Sequence, residues 1–511
     1  MSVRMQREVI ESAGRVRAAA QQTVVEAEVP LPGGLRDEVR LFYTEAQAAP
    51  LGAEAVGNRL TVSGRVTFRA LYAQGDLTHV HSVEEMRDFT RPLTLPRADA
   101  SAQYTPVCEV TAVSARVFNG RLLMRAELNV SAEGLETREV SAVTAVEEGD
   151  AQVLRQSLTI QRVVGGGEAQ GLARGEFEIA PALQATEALI GSGEARVEDI
   201  LGGADGRATV TGTVDVTVCL ASDMAGRPLV STQYSLPFEQ QVTLSGEAGD
   251  MLSATARVTD VAAALEAGEG APTLRTEVSL HVQVQSLKEE ERGIVSDVFG
   301  VGAAALTPTG ERMSFCVGSV NEQTAESGRL QLMLPEDAPR IKTVLAAFVQ
   351  PVLAGAAAQG GKLQADMLLR ATLVYMTEDS GIPVAYTAEE PVRMAFAGAM
   401  DENDVLSLQA SRVEATAVAG DRAEVRYVMS LHANGVRCSP RFVVTDVVRE
   451  EGADTQPVLA LYRVQGDERL WDIMKRYRLP LTGLQELNDS LRDLDAAASL
   501  PAGMEIVAYR R

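Results

Sequence analysis

Three strand-like runs, in each of which apolar residues alternate with other residues for about ten positions, constrain the fold of this chain more than any other feature. The runs span residues 60–72, 208–220 and 363–375. Each run follows a residue pair that favours a tight turn, namely Gly57-Asn58, Asp205-Gly206 or Gly360-Gly361. Because successive side chains of a strand point to opposite faces, each run predicts a strand that is buried on one face.

The flanks of the three runs are also alike, so the whole pattern recurs at a period of about 150 residues. Before each run a strand-like segment closes at Pro32, Pro181 or Pro335, and after it come Phe89, Phe238 or Phe396. Further alternating segments then occupy residues 110–130, 256–284 and 410–431. Many short strands separated by turns predict a mainly β protein with three tandem all-β units, at residues 1–150, 151–305 and 306–455. The pattern leaves open whether each unit is sandwich- or barrel-like.

Residues 458–511 follow a different pattern, which predicts a small strand-helix-helix-strand (βααβ) fold. Residues 461–464 predict the first strand, and Asp467 is the predicted cap of the first helix. That helix has apolar residues at helical spacing and ends before Pro480; residues 482–485 form a capping-box pattern for the second helix. The second apolar stripe is Leu484, Leu487 and Leu491, and the closing strand alternates Met504, Ile506 and Ala508. Trp471, the only tryptophan, is predicted to fill much of this small core.

The charge of the chain is strongly acidic and unevenly distributed. The formal net charge is −23, while residues 458–511 hold equal numbers of acidic and basic side chains, so the excess lies in the first 457 residues. An acidic body disfavours nucleic acid and anionic membrane surfaces as partners, and we predict neither nucleic-acid binding nor direct membrane insertion.

The sequence also predicts an intracellular, soluble protein. The N-terminal residues show no signal-peptide pattern, and the longest apolar run, residues 344–358, is interrupted by Gln350 and Pro351 and is too short to span a bilayer. The four cysteines lie far apart with no CxxC pair, which is typical of a reducing compartment.

No residue pattern indicates catalysis, a cofactor or a metal. His79 and His81, with Glu84 and Glu85 nearby, have the chemistry of a zinc site, but an exposed hairpin explains them more simply. Residues 165–167 (three glycines) are interpreted as a flexible turn, and residues 300–302 as a linker without a dinucleotide-binding frame. The acidic runs at residues 147–148 and 289–291 are interpreted as solvated unit ends. We therefore predict that the protein is not an enzyme.

The C-terminal segment resembles a LysM module. The residues that carry the resemblance are Tyr462, Val464, Gly466, Asp467, Leu470, Trp471, Ile473, Leu487, Asn488, Pro501 and Gly503. Preceding β-rich units with a Val-x-Gly-x-Val-x-Phe-x-x-x-Tyr pattern make the whole chain similar to SipL-like spore-coat morphogenetic proteins, although Met367 replaces the glycine in the third copy. The resemblance implies a non-enzymatic scaffold, made in the mother cell and recruited to the forespore surface. Its LysM module would dock the ATPase that polymerises as the basement layer of the coat.

LysM modules as a family bind N-acetylglucosamine glycans between two loops, which here are residues 466–469 and 499–503. The alternative function is therefore binding of peptidoglycan, or of a chitin-like glycan, in the spore cortex or cell wall. In this chain the Gly-Asp pair lies one position early, and Arg469 replaces the usual small hydroxyl residue, which favours a protein ligand. The predicted partner- or glycan-binding residues are Gly466, Asp467, Arg469, Trp471, Ile473, Lys475, Leu487, Asn488 and Gly503.

Overall fold

The protein is mainly β. The computed structural model describes residues 3–31, 39–74, 79–95, 103–202, 206–246, 249–266, 271–301, 305–379, 382–398, 400, 404–450, 457–466 and 468–510. These described residues form 21 strands in several separate sheets, together with two α-helices, and none of the sheets closes into a barrel. Every strand pairing is antiparallel.

Strands β1 to β6 form two three-stranded sheets. They are β1 (Met5–Pro30), β2 (Val39–Val56), β3 (Arg59–Gln74), β4 (Val80–Thr94), β5 (Gln103–Phe118) and β6 (Arg121–Val146). The sheet orders are β1-β6-β5 and β2-β3-β4. Their facing sides enclose one apolar core, to which β3 contributes Leu60, Val62 and Phe68 and β6 contributes Leu122 and Leu128.

Strands β7 to β13 enclose a second core in the same way. They are β7 (Ala151–Glu178), β8 (Ala185–Gly202), β9 (Arg207–Ser222), β10 (Leu229–Thr243), β11 (Ser245–Gly246), β12 (Met251–Glu266) and β13 (Thr273–Gly300), with a 3-10 turn at Pro181–Leu183. The sheet orders are β10-β9-β8 and β11-β7-β13-β12. Val210 and Val214 of β9 belong to the same buried core as Val278 and Val282 of β13.

Strands β14 to β19 enclose a third core. They are β14 (Ala305–Met333), β15 (Ile341–Gln359), β16 (Lys362–Thr377), β17 (Pro383–Ala397), β18 (Val405–Ala419) and β19 (Arg422–Glu450). The sheet orders are β14-β19-β18 and β15-β16-β17. The three alternating runs of the sequence are thus β3, β9 and β16, and each is the central strand of its sheet. The prediction that these runs form strands is confirmed.

A glycine packed under a phenylalanine ring explains part of the recurring sequence pattern. Gly64 of β3 pairs with Phe89 of β4, and Gly212 of β9 pairs with Phe238 of β10. A Cβ atom at Gly64 or Gly212 would lie 2.6 or 2.7 Å from the ring of its partner, so only glycine leaves room for the aromatic side chain.

The sheet β15-β16-β17 has different residues at the equivalent positions. Met367 stands at the glycine position of β16 and pairs with Val392 of β17. Phe396 lies further along β17, opposite Leu363. This shift explains why the third phenylalanine of the sequence follows its strand at a longer distance than the first two.

We expect Gly212→Ala to destabilise the protein by about 1–3 kcal/mol, the usual cost of forcing a side chain into a packed site. The added Cβ would also lie 2.1 Å from the backbone carbonyl oxygen of Arg196, which cannot rotate away. Gly293→Ala is the matched control, because nothing lies within 4 Å of its Cβ position in β13. A denaturation curve in which both variants unfold at the same midpoint as the wild type would contradict this packing argument.

The three pairs of long strands pack against one another. One apolar cluster joins Ile10 and Val140 of β1 and β6 to Ile160 of β7, Ile294 of β13 and Phe315 of β14. A second cluster joins β2 and β3 to β8, β9, β15 and β16 through residues that include Tyr43, Cys219 and Val374. These apolar contacts hold the three cores together.

Two interpretations of segments in the first 457 residues prove wrong. The three glycines of residues 165–167 do not form a turn; they lie in β7, where β13 and β11 pair with them, and a Cβ at Gly167 would lie 2.1 Å from the carbonyl oxygen of Thr243. The acidic residues 289–291 do not end a unit, since they lie within β13, where Arg292 Nη2 donates to Glu290 Oε2 at 2.6 Å. Local ion pairs let the strand continue through this charged stretch.

The chain ends in a small unit of two strands and two helices, β20 (Val458–Arg463), α1 (Leu470–Tyr477), α2 (Leu481–Leu487) and β21 (Glu505–Arg510), with a 3-10 turn at Asp489–Leu491. We refer to residues 458–510 as the C-terminal unit. No helix in the described part of the chain is long and apolar enough to cross a membrane.

Candidate functional site

The C-terminal unit has its own apolar core, built from the helical and strand periodicities of its sequence. Leu470, Ile473 and Met474 of α1 are buried against Leu484 of α2 and Ile506 of β21. The predicted closing strand is confirmed for Ile506 and Ala508, which are buried in β21, whereas Met504 precedes that strand. Leu487 departs from the prediction, because its side chain is 44% exposed and does not belong to the buried stripe.

The start of each helix differs from the sequence prediction. Arg469, in an extended conformation, directly precedes α1, and the Asp472 carboxylate accepts a hydrogen bond from its backbone N–H at 3.2 Å. Asp467, the predicted cap, lies outside the described residues. The predicted capping box of residues 482–485 is wrong, because α2 begins at Leu481 after Pro480, which has no N–H to satisfy.

The two loops of the candidate site are bonded to each other through their backbones. Leu500 donates its N–H to the carbonyl oxygen of Glu468 at 2.9 Å, and Leu470 donates to Ala498 at 2.9 Å, while Arg469 and Ser499 form an antiparallel bridge. Several backbone groups that could otherwise bond to a sugar at this edge are therefore already hydrogen-bonded within the protein.

Two glycines shape these loops. Gly466 has φ +62° and Gly503 has φ +85°, a region in which other residues are strained, so both positions favour glycine for conformational reasons. The N–H of Gly503 donates to the carbonyl oxygen of Val464 at 2.8 Å and fixes the second loop beside the first. Both residues thus position the loops.

Tyr462, Glu468 and Arg476 form a polar cluster beside the first loop. The Tyr462 hydroxyl donates to Glu468 at 2.6 Å, and the Arg476 guanidinium lies 4.9 Å from the centre of the Tyr462 ring. The hydrogen bond from Tyr462 lowers the pKa of the Glu468 carboxyl, helped by the backbone N–H of Gln465 and the charge of Arg476. A lowered carboxyl pKa stabilises the folded loop above the ordinary glutamate pKa, and this contribution is lost as pH falls through the lowered value.

Arg469 is a predicted site residue whose side chain remains accessible beside the loops. Its side chain is 49% exposed, and Nη2 lies 3.5 Å from Asp472 Oδ1 in a loose ion pair. A half-exposed guanidinium next to paired loops can still form two parallel hydrogen bonds with a carboxylate of a partner.

Trp471 and Lys475 face the rest of the chain. Trp471 is 1% exposed, its indole Nε1 donates to Asp297 Oδ2 of β13 at 2.8 Å, and its ring meets the Phe299 ring edge-on at 4.9 Å between centroids. Lys475 Nζ donates to the same carboxylate at 2.7 Å. The register of β13 shifts between Val295 and Asp297, an irregularity that redirects side chains at this end of the strand. This face of α1 docks the C-terminal unit on β13.

Ile473 and Asn488 are structural in this fold. Ile473 is fully buried. Asn488 Nδ2 donates to the carbonyl oxygens of Leu484 at 2.8 Å and Val507 at 2.9 Å, and its Oδ1 accepts the N–H of Val507 at 2.7 Å. Asn488 thereby ties the end of α2 to β21 and is 7% exposed.

The sequence interpretation missed an exposed apolar face on the two-stranded sheet. Leu459 is 80% exposed and Leu461 69%, and Leu459 lies opposite Tyr509 on β21, whose side chain is also exposed. Leucine and tyrosine alternate here with Ala460 and Ala508, so both faces of the sheet are apolar and period two alone does not tell which face is buried. Leu459, Leu461 and Tyr509 lie on the outer face, whereas Ile506 and Ala508 are buried on the inner one.

Metal ligands do not cluster in the described part of the chain, where no group of three or more His, Cys, Asp or Glu residues could hold an ion. Glu84, one of the residues near His81, instead accepts a hydrogen bond from Arg69. No protein-family model, curated protein or solved structure matches the chain.

We expect Asp297→Ala to release the Trp471 side of α1 from β13. The substitution removes the acceptor of both the indole and the Lys475 ammonium group, so Trp471, the only tryptophan, should become more accessible to solvent. Its fluorescence should shift to longer wavelength and be quenched more strongly by acrylamide. Asp489→Asn, at an exposed ion pair with Arg492, is the control and should leave the spectrum unchanged. An unchanged spectrum in Asp297→Ala would contradict the docking role of Asp297.

Proposed function

We propose that this protein is a non-enzymatic scaffold of the endospore coat. In this proposal the C-terminal unit is a LysM module that docks the coat ATPase, and three tandem all-β domains at residues 1–150, 151–305 and 306–455 recruit other components. The protein acts in the mother cell at the forespore surface. Three separate apolar cores with the same arrangement of strands support the tandem units, and the strand-helix-helix-strand order supports the module.

One observation carries the choice of a protein partner. Arg469 is half exposed, and the backbone groups of the two loops beside it are hydrogen-bonded to each other. A glycan requires short polar groups and free amides at this edge, whereas an exposed arginine is a favoured anchor at protein interfaces. The exposed apolar face of Leu459, Leu461 and Tyr509 lies on the same small unit and adds contact area of the kind that interfaces use.

The predicted site residues take different parts in this proposal. Arg469 contacts the partner, with Leu487 as a further exposed residue. Gly466 and Gly503 shape the loops, Ile473 and Asn488 support the fold, and Trp471 and Lys475 hold the unit to β13. Fewer residues are therefore placed to contact the partner than the sequence motif contains.

The second candidate function is binding of N-acetylglucosamine glycans of peptidoglycan. The observation that favours it is the loop geometry at Gly466 and Gly503, whose positive φ values shape the two loops that would form a LysM groove. Retention of the full-length protein on chitin beads or insoluble peptidoglycan, with release by soluble N-acetylglucosamine oligomers, would support this function over the adaptor.

The location of a fluorescent fusion of the full chain in sporulating cells tests the scaffold proposal. We expect the wild-type protein at the forespore surface and the Arg469→Glu variant spread through the mother cell. Arg492→Glu is the matched control, because Arg492 is also an exposed arginine that pairs with an aspartate three residues away. An Arg469→Glu protein that reaches the forespore surface as the wild type does would contradict the proposed docking residue.

A further inference from the structure

Two cysteines that are far apart in the sequence lie side by side in the fold. Cys316 of β14 and Cys438 of β19 are directly opposite each other on paired antiparallel strands. Their Sγ atoms are 3.7 Å apart, and both thiols are in the reduced form. Cys108 and Cys219 are also reduced thiols and provide internal references for the pair.

We propose that Cys316 and Cys438 are a site of reversible oxidation that closes a disulfide across β14 and β19. Directly opposite residues of an antiparallel pair have Cα atoms about 4.5–5.5 Å apart, which lies within the range that disulfides span. The sulfur atoms need to approach by less than 2 Å to reach the bond length of about 2.05 Å. Rotation of the two side chains is therefore sufficient, and the strands keep their pairing.

The surroundings give the two sulfurs different roles. Cys316 is 2% exposed, whereas Cys438 is partly exposed. The Cys316 thiol donates a hydrogen bond that lowers the pKa of Cys438, and the backbone N–H and positive charge of Arg15 on the neighbouring β1 act in the same direction. The same contact raises the pKa of Cys316. Cys438 is thus the nucleophile, and Cys316 is the resolving thiol.

The reaction needs an oxidant, which we assign to the class of low-molecular-weight disulfides. The Cys438 thiolate attacks one sulfur of the small disulfide, forms a mixed disulfide and releases one small thiolate. Cys316, losing its proton, then attacks the Cys438 sulfur and releases the second small thiol. The two protein thiols lose two electrons and two protons, and the small disulfide is reduced to two thiols.

The closed bond links residues that are 122 positions apart. Such a link restricts the unfolded chain strongly, so oxidation should raise the melting temperature of the third core (β14 to β19). It also fixes the register of the two longest strands of that core beside a bulge, where the pairing shifts between Cys316 and Gly318.

Oxidised glutathione added to the full-length native protein tests the site. We expect wild-type protein to lose two maleimide-reactive thiols and the mass of two hydrogen atoms, and peptide mapping to join the peptides of Cys316 and Cys438. Dithiothreitol should reverse the change. A Cys108→Ser, Cys219→Ser double variant should behave as the wild type, since burial raises the pKa of Cys108 to about 11 and of Cys219 to about 12 and makes both poor nucleophiles.

Single variants separate the proposed roles. Cys316→Ser should accumulate one glutathione on Cys438, because the resolving thiol is missing, and Cys438→Ser should accumulate little on the buried Cys316. Circular dichroism establishes that each variant is folded. Four thiols that stay reduced in the wild type, or glutathione that persists on Cys438 with Cys316 present, would overturn the proposal.

Discussion

Replacement of Arg69 by methionine should destabilise the protein by about 3–5 kcal/mol, the cost of leaving a buried charge without its partner. The Arg69 side chain is 5% exposed and meets three carboxylates: Nε lies 2.6 Å from Glu84, Nη2 lies 2.6 Å from Asp260, and Nη1 lies 3.5 Å from Glu45. Glu84 and Asp260 are partly exposed and can turn to water. The Glu45 carboxylate is more buried than the other two, so its unpaired charge accounts for most of the lost stability.

The Arg69 network also joins the three cores. Asp260 belongs to β12, and Glu45 accepts a hydrogen bond from Tyr43, whose hydroxyl accepts one from Gln350 of β15. Arg69→Met should therefore lower the stability of all three cores together rather than that of one core. Arg65 lies on the same strand as Arg69, and Arg65→Met, which breaks its exposed pair with Asp88 of β4, should change stability little.

The cost of Arg69→Met should depend on pH. Burial raises the pKa of Glu45, and the charge of Arg69 opposes that rise. Without Arg69 the pKa of Glu45 moves higher, and a carboxyl whose folded pKa is raised loses stability as pH rises through that value. The gap between variant and wild type should be smaller at mildly acidic pH than near neutral pH. Denaturant midpoints at both pH values measure it, and a gap that widens on acidification would contradict the assigned role of Glu45.

Asn488→Ala should destabilise the C-terminal unit by about 2–3 kcal/mol, since it leaves buried backbone groups without partners. The substitution removes three hydrogen bonds, two of which hold both backbone groups of Val507 in β21. We expect Trp471 fluorescence to report unfolding of this unit at lower denaturant concentration, with the β signal of the body unchanged.

Asp489→Asn, at the next residue, is exposed and serves as the control for Asn488→Ala. A variant that binds its partner poorly but unfolds at the wild-type midpoint would contradict the structural role of Asn488 and would place it at the interface.

The parts of the fold that follow from local periodicity could be predicted, and the parts that depend on distant residues could not. Alternation identified β3, β9 and β16, because a half-buried strand shows its pattern within a few residues. The glycines of residues 165–167 looked like a turn, since close approach of Thr243 is what requires them in a strand. From the sequence alone, the charged residues 289–291 are interpreted as the end of a unit, because the pattern does not show which basic side chains pair with them.

The candidate site shows the same division. The motif located the C-terminal unit and the exposed Arg469. It gave no sign that Trp471 would bond to Asp297, which is 174 positions away. Nor did it show that Leu459 and Leu461 would lie outside, since both faces of that strand are apolar. The pairing of Cys316 with Cys438 likewise depends on the register of β14 and β19, which local sequence does not specify.

The affinity of the full-length protein for the coat ATPase, compared with that for an N-acetylglucosamine oligomer, tests the central claim most directly. We expect the wild-type protein and Arg492→Glu to bind the ATPase with equal Kd and Arg469→Glu to bind roughly tenfold or more weakly, as reversal of an anchoring charge implies. None of the three should bind the oligomer. Glycan binding by the wild-type protein, together with an ATPase affinity that Arg469→Glu leaves unchanged, would contradict the account.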